Sequence, residues 1–236
     1  NRDPELALTH VSNGEWRTTW RPTNASTDQV QVAVTALLIE GSDRRAGQAT
    51  RAGRVLDSTT PVVPQGALLH AASYKVGGAL APGSLVALFG SNLTTTESVS
   101  AFPLPFSLSG TEVRLAGEVL PLVATSARAG QINAQLPYDL PVDETLQVEV
   151  RRGDELSMPE PFVVAAAQPG VFTENQSGSG QGIIVKSDQL TLARPVTPAG
   201  RGEIIVIYCT GLGAVDPPVV LGQPAPVPAA ITRAAV

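Results

Sequence analysis

"APGSLVALFGSNL", residues 81–93, decides the fold because it can be interpreted in two ways. An apolar strand that runs into Gly90, Ser91 and Asn92 begins either a phosphate-binding loop or a turn at the edge of a sheet. A phosphate-binding loop must lead into a helix whose N-terminal amides face the phosphates. The next segment, "TTTESVSAFPLP" at residues 94–105, is rich in β-branched residues and broken by proline, which disfavours a helix. The stretch is therefore predicted to be a strand followed by a turn.

A second copy of this stretch lies near the end of the chain. "RGEIIVIYCTGL", residues 201–212, aligns without a gap with "PGSLVALFGSNL", residues 82–93, so that Gly202 matches Gly83. A repeat at this spacing predicts two β-sandwich domains in tandem. The second copy is followed by far fewer residues than the first, so its sandwich is expected to be incomplete.

Composition narrows the classes of protein that the chain can belong to. It has 236 residues, 43% of them apolar and 16% charged, with 22 Gly and 20 Pro. Many turn-forming residues and few charged ones are typical of short strands. The net charge of −5, with scattered Lys and Arg, provides no basic field for nucleic acid. No apolar run reaches the length of a membrane-spanning helix, so direct membrane insertion is not expected.

Residues with catalytic or metal-binding chemistry are few. The single cysteine, Cys209, lies within an apolar strand and is predicted to be an inert buried thiol. The only histidines, His10 and His70, cannot form a zinc site with one cysteine, and Ser91 has no G-x-S-x-G motif around it. The chain is therefore predicted not to be an enzyme, with no catalytic or metal residues and no cofactor.

The pattern of strands and turns predicts an all-β chain with five regions. Apolar and polar residues alternate in segments such as "QINAQLP" and "TLQVEVRRG", and Gly or Pro lies at most breaks. The predicted regions are 1–40, the last strands of an upstream β-domain or a packed hairpin; 41–66, a linker; 67–167, a first immunoglobulin-like sandwich; 168–198, a connecting segment with a small hairpin; and 199–236, the start of a second, incomplete sandwich.

Two polar and two aromatic residues are the remaining candidates for binding. Gln131 and Asn133 lie in a predicted strand, where a structural hydrogen-bonding role is favoured over ligand binding. Trp16 and Trp20 share one face of another predicted strand. Such residues form either part of a core or a docking site for a partner chain. Trp16 and Trp20 are the candidate docking residues.

Several longer phrases resemble a family. They are "HAASYKVGGALAPGSLVALFGSNL", "PLPFSLSGTEVRLAGEVLPLVATSARAGQINAQLPYDLP", "AAAQPGVFT" and "IYCTGLGAVDPP". Over roughly residues 67–225 the chain resembles the uncharacterised C-terminal region of large secreted acidobacterial proteins, which is similar to tandem IPT/TIG immunoglobulin-like domains. The resemblance implies a bacterial extracellular or cell-surface array of β-sandwiches without known catalysis, and it supplies no catalytic or metal residues.

The sequence therefore favours a non-catalytic structural or adhesive module of a secreted or cell-surface protein, including the periplasmic face. It would act as a scaffold or spacer through protein contacts at loops and sheet edges, including strand addition to the incomplete sandwich. Its expected partner is another protein or the remainder of a larger chain. The alternatives are a carbohydrate-binding accessory domain of a secreted enzyme and an outer-face subunit of a membrane-associated complex.

Overall fold

The computed structural model describes residues 8–12, 15–18, 29–54, 59–188 and 190–233. Every regular element in these ranges is a β-strand, and none is a helix. The described part of the chain therefore contains no helix that could cross a membrane. The prediction of an all-β protein is confirmed. The chain divides into two compact units, residues 1–58 and residues 59–236.

The described residues of the first unit form two antiparallel pairs of strands. Strand β1 (Thr9–Ser12) pairs with β2 (Glu15–Arg17), and β3 (Gln29–Glu40) pairs with β4 (Asp43–Arg54). The β3–β4 hairpin pairs residue for residue from Gln29 and Arg54 to Glu40 and Asp43, on either side of a two-residue turn. Two-residue connections are the commonest way to join antiparallel strands.

Strand β4 lies where the sequence predicts a linker. Its sequence, "DRRAGQATRAGR", has no bulky apolar residue at alternate positions, so periodicity gives no strand signal. Pairing with the strongly alternating "QVQVAV" of β3 extends the segment instead. Within residues 1–40, which the sequence predicts to be terminal strands or one hairpin, the Trp16 segment pairs with β1, whereas the Val32 segment pairs with β4.

The second unit contains two five-stranded antiparallel sheets. The first sheet consists of β5 (Leu68–His70), β6 (Leu85–Phe89), β7 (Ser98–Val99), β10 (Leu122–Ser126) and β11 (Gln131–Gln135), in the order β5-β6-β11-β10-β7. The second sheet consists of β8 (Thr111–Leu115), β9 (Glu118–Leu120), β12 (Thr145–Arg152), β13 (Glu155–Leu156) and β14 (Glu160–Val163). Its order is β13-β12-β8-β9, with β14 also paired to β12.

Side chains from both sheets form one hydrophobic core. In β11, Ile132 and Ala134 are fully buried while their neighbours are half-buried, and Val148 and Val150 of β12 follow the same alternation. Alternation of this kind is expected when one face of each sheet packs on the other, as in a β-sandwich. The core residues are Val63, Leu68, Leu80, Val86, Leu88, Leu93, Val113, Leu115, Leu120, Leu122, Ile132, Ala134, Leu136, Val148, Val150, Phe162 and Val164.

Pro121 lies where the chain passes from one sheet to the other. Strand β9 ends at Leu120 in the second sheet, and β10 begins at Leu122 in the first. Proline has no amide to donate to a ladder, so it suits the junction between two strands. Its carbonyl still accepts a hydrogen bond from the Gln135 amide at 3.0 Å. Pro121 therefore marks a change of sheet.

The remaining strands form three two-stranded sheets. They are β15 (Gly170–Val171), β16 (Ile184–Lys186), β17 (Ile205–Ile207), β18 (Cys209–Thr210), β19 (Val215–Asp216) and β20 (Ile231–Thr232), paired as β15-β18, β16-β17 and β19-β20. Beyond β16, the amide of Lys186 donates to the Thr191 carbonyl at 2.9 Å, in the segment where the sequence predicts a small hairpin.

Residues after 167 are hydrogen-bonded to the first sheet. The Leu85 amide, at the start of β6, donates to the Thr210 hydroxyl at 2.8 Å. The Gly222 amide donates to the side-chain oxygen of Gln135 at 3.0 Å. These residues belong to the same compact unit as the sandwich.

Candidate docking surface

The two copies of the repeated stretch share an unusual backbone. Gly83 and its counterpart Gly202 have φ values of 72° and 80°. Nine residues later, Asn92 and its counterpart Gly211 have φ values of 58° and 84°. Left-handed residues are uncommon outside glycine and asparagine, so their recurrence at matched positions is a specific similarity. The repeat in the sequence is therefore also a repeat of local conformation.

The two copies differ in the strands that surround them. In the first copy, β6 lies between β5 and β11. In the second, β17 has a single pairing partner, β16, among the described strands. One edge of β17 therefore carries no strand in the part of the chain that the structure describes.

The two copies also differ greatly in burial. Leu88 of β6 is 0% exposed, whereas its counterpart Ile207 is 46% exposed. Val86 is 1% exposed and its counterpart Ile205 is 39% exposed. Five consecutive large apolar residues, Ile204–Tyr208, are exposed to solvent, and they are called the β17 surface below. Contiguous exposed apolar residues mark interaction sites more often than chance.

The backbone at the free edge of β17 is oriented for pairing. The amide of Tyr208 donates a hydrogen bond to the Ile183 carbonyl at 3.0 Å. Two residues earlier, the backbone N–H and C=O groups of Val206 also point toward β16. Because successive residues of a strand point their N–H and C=O groups to opposite edges, Ile205 and Ile207 direct theirs away from β16. Such groups are available to an added strand.

A cavity of about 360 Å³ lies beside the β17 surface. Tyr208 lines it together with the aromatic rings of Tyr74 and Phe172 and the side chains of Ile183 and Asn133. Asn133 accepts a hydrogen bond from the Gln131 side chain at 2.6 Å, so the two polar side chains bond to each other. The β17 surface therefore continues into a concave region with an aromatic lining.

His70 is packed beneath the segment that carries the second copy. Its side chain is buried, and Nδ1 accepts hydrogen bonds from the amides of Ala72 and Ser73, both at 3.3 Å. An accepting Nδ1 places the proton of the neutral ring on Nε2. Nε2 faces the carbonyls of Thr210 and Gln168 but forms no hydrogen bond of good geometry within the described residues.

The environment of His70 favours the neutral ring. Burial lowers the pKa of His70, and the nearby Thr210 and Gln168 carbonyls offset this only in part. Both Gly170 and Gly211 lie against the ring, since a Cβ at either position would overlap it. His70 is therefore a packing contact between the first sheet and the β15–β18 pair.

The residues that the sequence singled out for docking lie in the first unit. Trp16 is in β2, where its backbone pairs with His10. Trp20 lies outside the described residues. The structure therefore adds a different candidate, the β17 surface, to the pair predicted from the sequence.

Groups that could perform chemistry are sparse in the described residues. No cluster of three or more His, Cys, Asp or Glu side chains there could hold a metal ion. Burial raises the pKa of the Cys209 thiol, which lies in β18, and a raised pKa reduces thiolate nucleophilicity at neutral pH. No known protein family and no curated protein sequence matches the chain.

Sequence reasoning did not identify Ile204–Tyr208 as an exposed surface. "EIIVIY" and "SLVALF" are similarly apolar, and both are typical of buried strands. No signal within either stretch separates them, because burial depends on the elements that pack around each strand.

Proposed function

We propose that the chain is a non-catalytic structural or adhesive module of a secreted or cell-surface protein, built from tandem immunoglobulin-like sandwiches of which the second is incomplete. It acts through protein–protein contacts. The observation that carries this proposal is the β17 surface, a row of exposed apolar side chains on a strand with one free edge. Burial of such a row against a partner removes apolar surface from water, which stabilises the complex.

The contact role is tested by replacing Ile205 and Ile207 with serine together. The tagged chain is expressed in the cells that naturally produce it, and extracts are separated by native electrophoresis. We expect the unaltered chain to migrate in an assembly larger than itself and the double variant to migrate alone. The matched control replaces Val196 and Val220, which are 86% and 71% exposed away from β17, with serine and keeps the assembly.

Two outcomes contradict the contact role. In the first, the unaltered chain migrates alone. In the second, the β17 variant and the control are both retained in the assembly. The far-ultraviolet circular dichroism of each purified variant establishes that its β-structure is intact.

The extracellular location is a separate part of the proposal and has its own experiment. A protease is added to intact producing cells, and the chain is followed by immunoblotting. We expect digestion in intact cells at the same rate as in lysed cells, while a cytoplasmic marker is digested only after lysis. Protection of the chain until lysis contradicts a surface location.

A further inference from the structure

We propose that the free edge of β17 binds an extended polypeptide strand whose side chains alternate as in β11, antiparallel and in the register that β11 adopts on β6. This inference rests on the proposed function, because it specifies the occupant of the contact surface. The first copy of the repeat provides the template, since β6 and β17 are matched residue by residue and, among the described strands, only β6 is paired on both edges.

The hydrogen bonds of the first copy define the edge. The Leu136 amide donates to the Ser84 carbonyl at 2.9 Å, and the Gly90 amide donates to the Gly130 carbonyl at 2.8 Å. Val86 and Leu88 lie between these two anchors and therefore direct their backbone groups to β11. Their counterparts in the second copy are Ile205 and Ile207, the residues of β17 that point away from β16.

The pairing of β6 with β11 then gives the register of the missing strand. Ile132 lies opposite Leu88, and Ala134 lies opposite Val86. If the same register applies to the second copy, an apolar residue of the bound strand lies opposite Ile207, and a small apolar residue lies opposite Ile205. The polar residue between them, equivalent to Asn133, lies opposite Val206.

Length and exposure agree with a single added strand. Strand β11 has five residues, and the β17 surface also has five, Ile204–Tyr208. In the first copy, where β6 is paired on both edges and packs in the core, the same five positions are buried or half-buried. Main-chain pairing provides affinity in strand addition, and alternate side chains provide specificity. The occupant is therefore an alternating strand rather than a helix or a flat surface.

The probe is a fluorescent peptide with the chain's own β11 sequence, "AGQINAQLP" of residues 129–137, added to the intact purified chain. We expect saturable binding. A peptide carrying Ala134→Pro lacks the amide that would bond to Ile205, so it should bind about ten-fold more weakly. On the protein, Ile207→Asp should weaken the unaltered peptide similarly, whereas Val196→Asp, at an exposed position away from β17, should not.

Disulfide trapping tests the register. The chain carries Val206→Cys and Cys209→Ser, and the peptide carries a cysteine activated as a mixed disulfide. We expect rapid exchange when the peptide cysteine replaces Asn133 and slow exchange when it replaces Ile132 or Ala134, because directly opposed residues that are not hydrogen-bonded to each other lie closest.

Three results overturn the inference. They are the absence of peptide binding, equal trapping at all three peptide positions, and disulfide-linked dimers of the Val206→Cys chain that form in preference to the peptide adduct. The last result would assign the edge to a second copy of the chain. If the peptide fails while the native assembly still depends on Ile205 and Ile207, the occupant is wrong and the proposed function stands. If the peptide binds in register but no assembly exists, the inference stands and the proposed function is wrong.

Discussion

At the scale of single residues, His70 couples the stability of the second unit to pH. Its buried ring is neutral, and Nδ1 accepts hydrogen bonds from two backbone amides. A protonated ring could not accept them, because its Nδ1 would carry a proton. Because the folded pKa is lowered below the unfolded value of 6.5, the unfolded state takes up the proton first as the pH falls. Stability is therefore full above pH 6.5 and decreases as the pH falls from there toward the folded pKa.

We predict that the free energy of unfolding, measured with urea, is lower at about pH 5.5 than at about pH 8 by up to about 1.4 kcal/mol, because about pH 5.5 lies one unit below the unfolded pKa of 6.5. His70→Asn retains a hydrogen-bond acceptor without a titrating ring, so this variant should lose most of the pH dependence. His10→Asn removes the other histidine and should leave the pH dependence intact. An unchanged slope in His70→Asn would assign the effect to other groups.

Alanine substitutions at Gly211 and Gly202 distinguish the cost of steric overlap from the cost of backbone strain. Both have positive φ, but a Cβ on Gly211 would overlap the Gln168 carbonyl and lie 2.6 Å from His70 Nε2, whereas a Cβ on Gly202 would meet nothing within 4 Å. We predict that Gly202→Ala costs about 1 to 2 kcal/mol from the left-handed backbone alone. Gly211→Ala should cost at least about 2 kcal/mol more, as measured by urea unfolding. Equal losses of stability in the two variants would show that the segment around Gln168 shifts to accommodate the Cβ at little cost.

At the scale of strands, the matched positions of β6 and β17 test how much a neighbouring strand contributes. Leu88 is fully buried, so Leu88→Ala should destabilise the chain by about 2 to 5 kcal/mol. Its counterpart Ile207 is half exposed, so Ile207→Ala should cost about 1 kcal/mol or less. Both variants are measured by chemical denaturation of the purified chain. A large cost at Ile207 would mean that β17 is already covered in solution.

The same comparison shows what could be predicted from the sequence. Strands such as β11 and β12 were predictable because their inward and outward residues alternate, and the alternation itself is the consequence of burial on one face. Strand β4 was not predictable, because its extended conformation comes from pairing with β3 rather than from its own side chains. Propensity is a weaker guide wherever the partner decides the structure.

The candidate surface was only partly predictable for a related reason. The repeat can be seen in the sequence, and it identifies β17 as the counterpart of β6. The exposure of Ile205 and Ile207 cannot be seen there, because their apolar character is the same as that of the buried Val86 and Leu88. Burial depends on which strands are neighbours in space, and the sequence of one strand does not contain that information.

At the scale of the whole molecule, the contacts between the first sandwich and residues 168–233 determine whether that sandwich is stable without those residues. The Leu85 amide donates a hydrogen bond to the Thr210 hydroxyl, and the Gly222 amide donates one to the Gln135 side chain. The His70 ring lies against Gly170 and Gly211. A chain ending at residue 167 loses all three contacts. Each of the two lost hydrogen bonds contributes about 0.5 to 1.5 kcal/mol of net stability, and the lost packing of Gly170 and Gly211 against the His70 ring adds to this.

We therefore predict that a chain ending at residue 167 unfolds with a free energy lower by about 2 to 4 kcal/mol than that of the full chain, in urea followed by circular dichroism. The control is a chain beginning at residue 59, which removes the other compact unit and should keep the main unfolding transition. Every residue of the hydrophobic core lies between Val63 and Val164, so the truncated chain retains the core and should still fold. If its stability equals that of the full chain, the first sandwich is an autonomous domain and the contacts to residues 168–233 add no stability. If it is less stable, residues 168–233 are anchored on the first sandwich, and those contacts hold β17 at a fixed position on it.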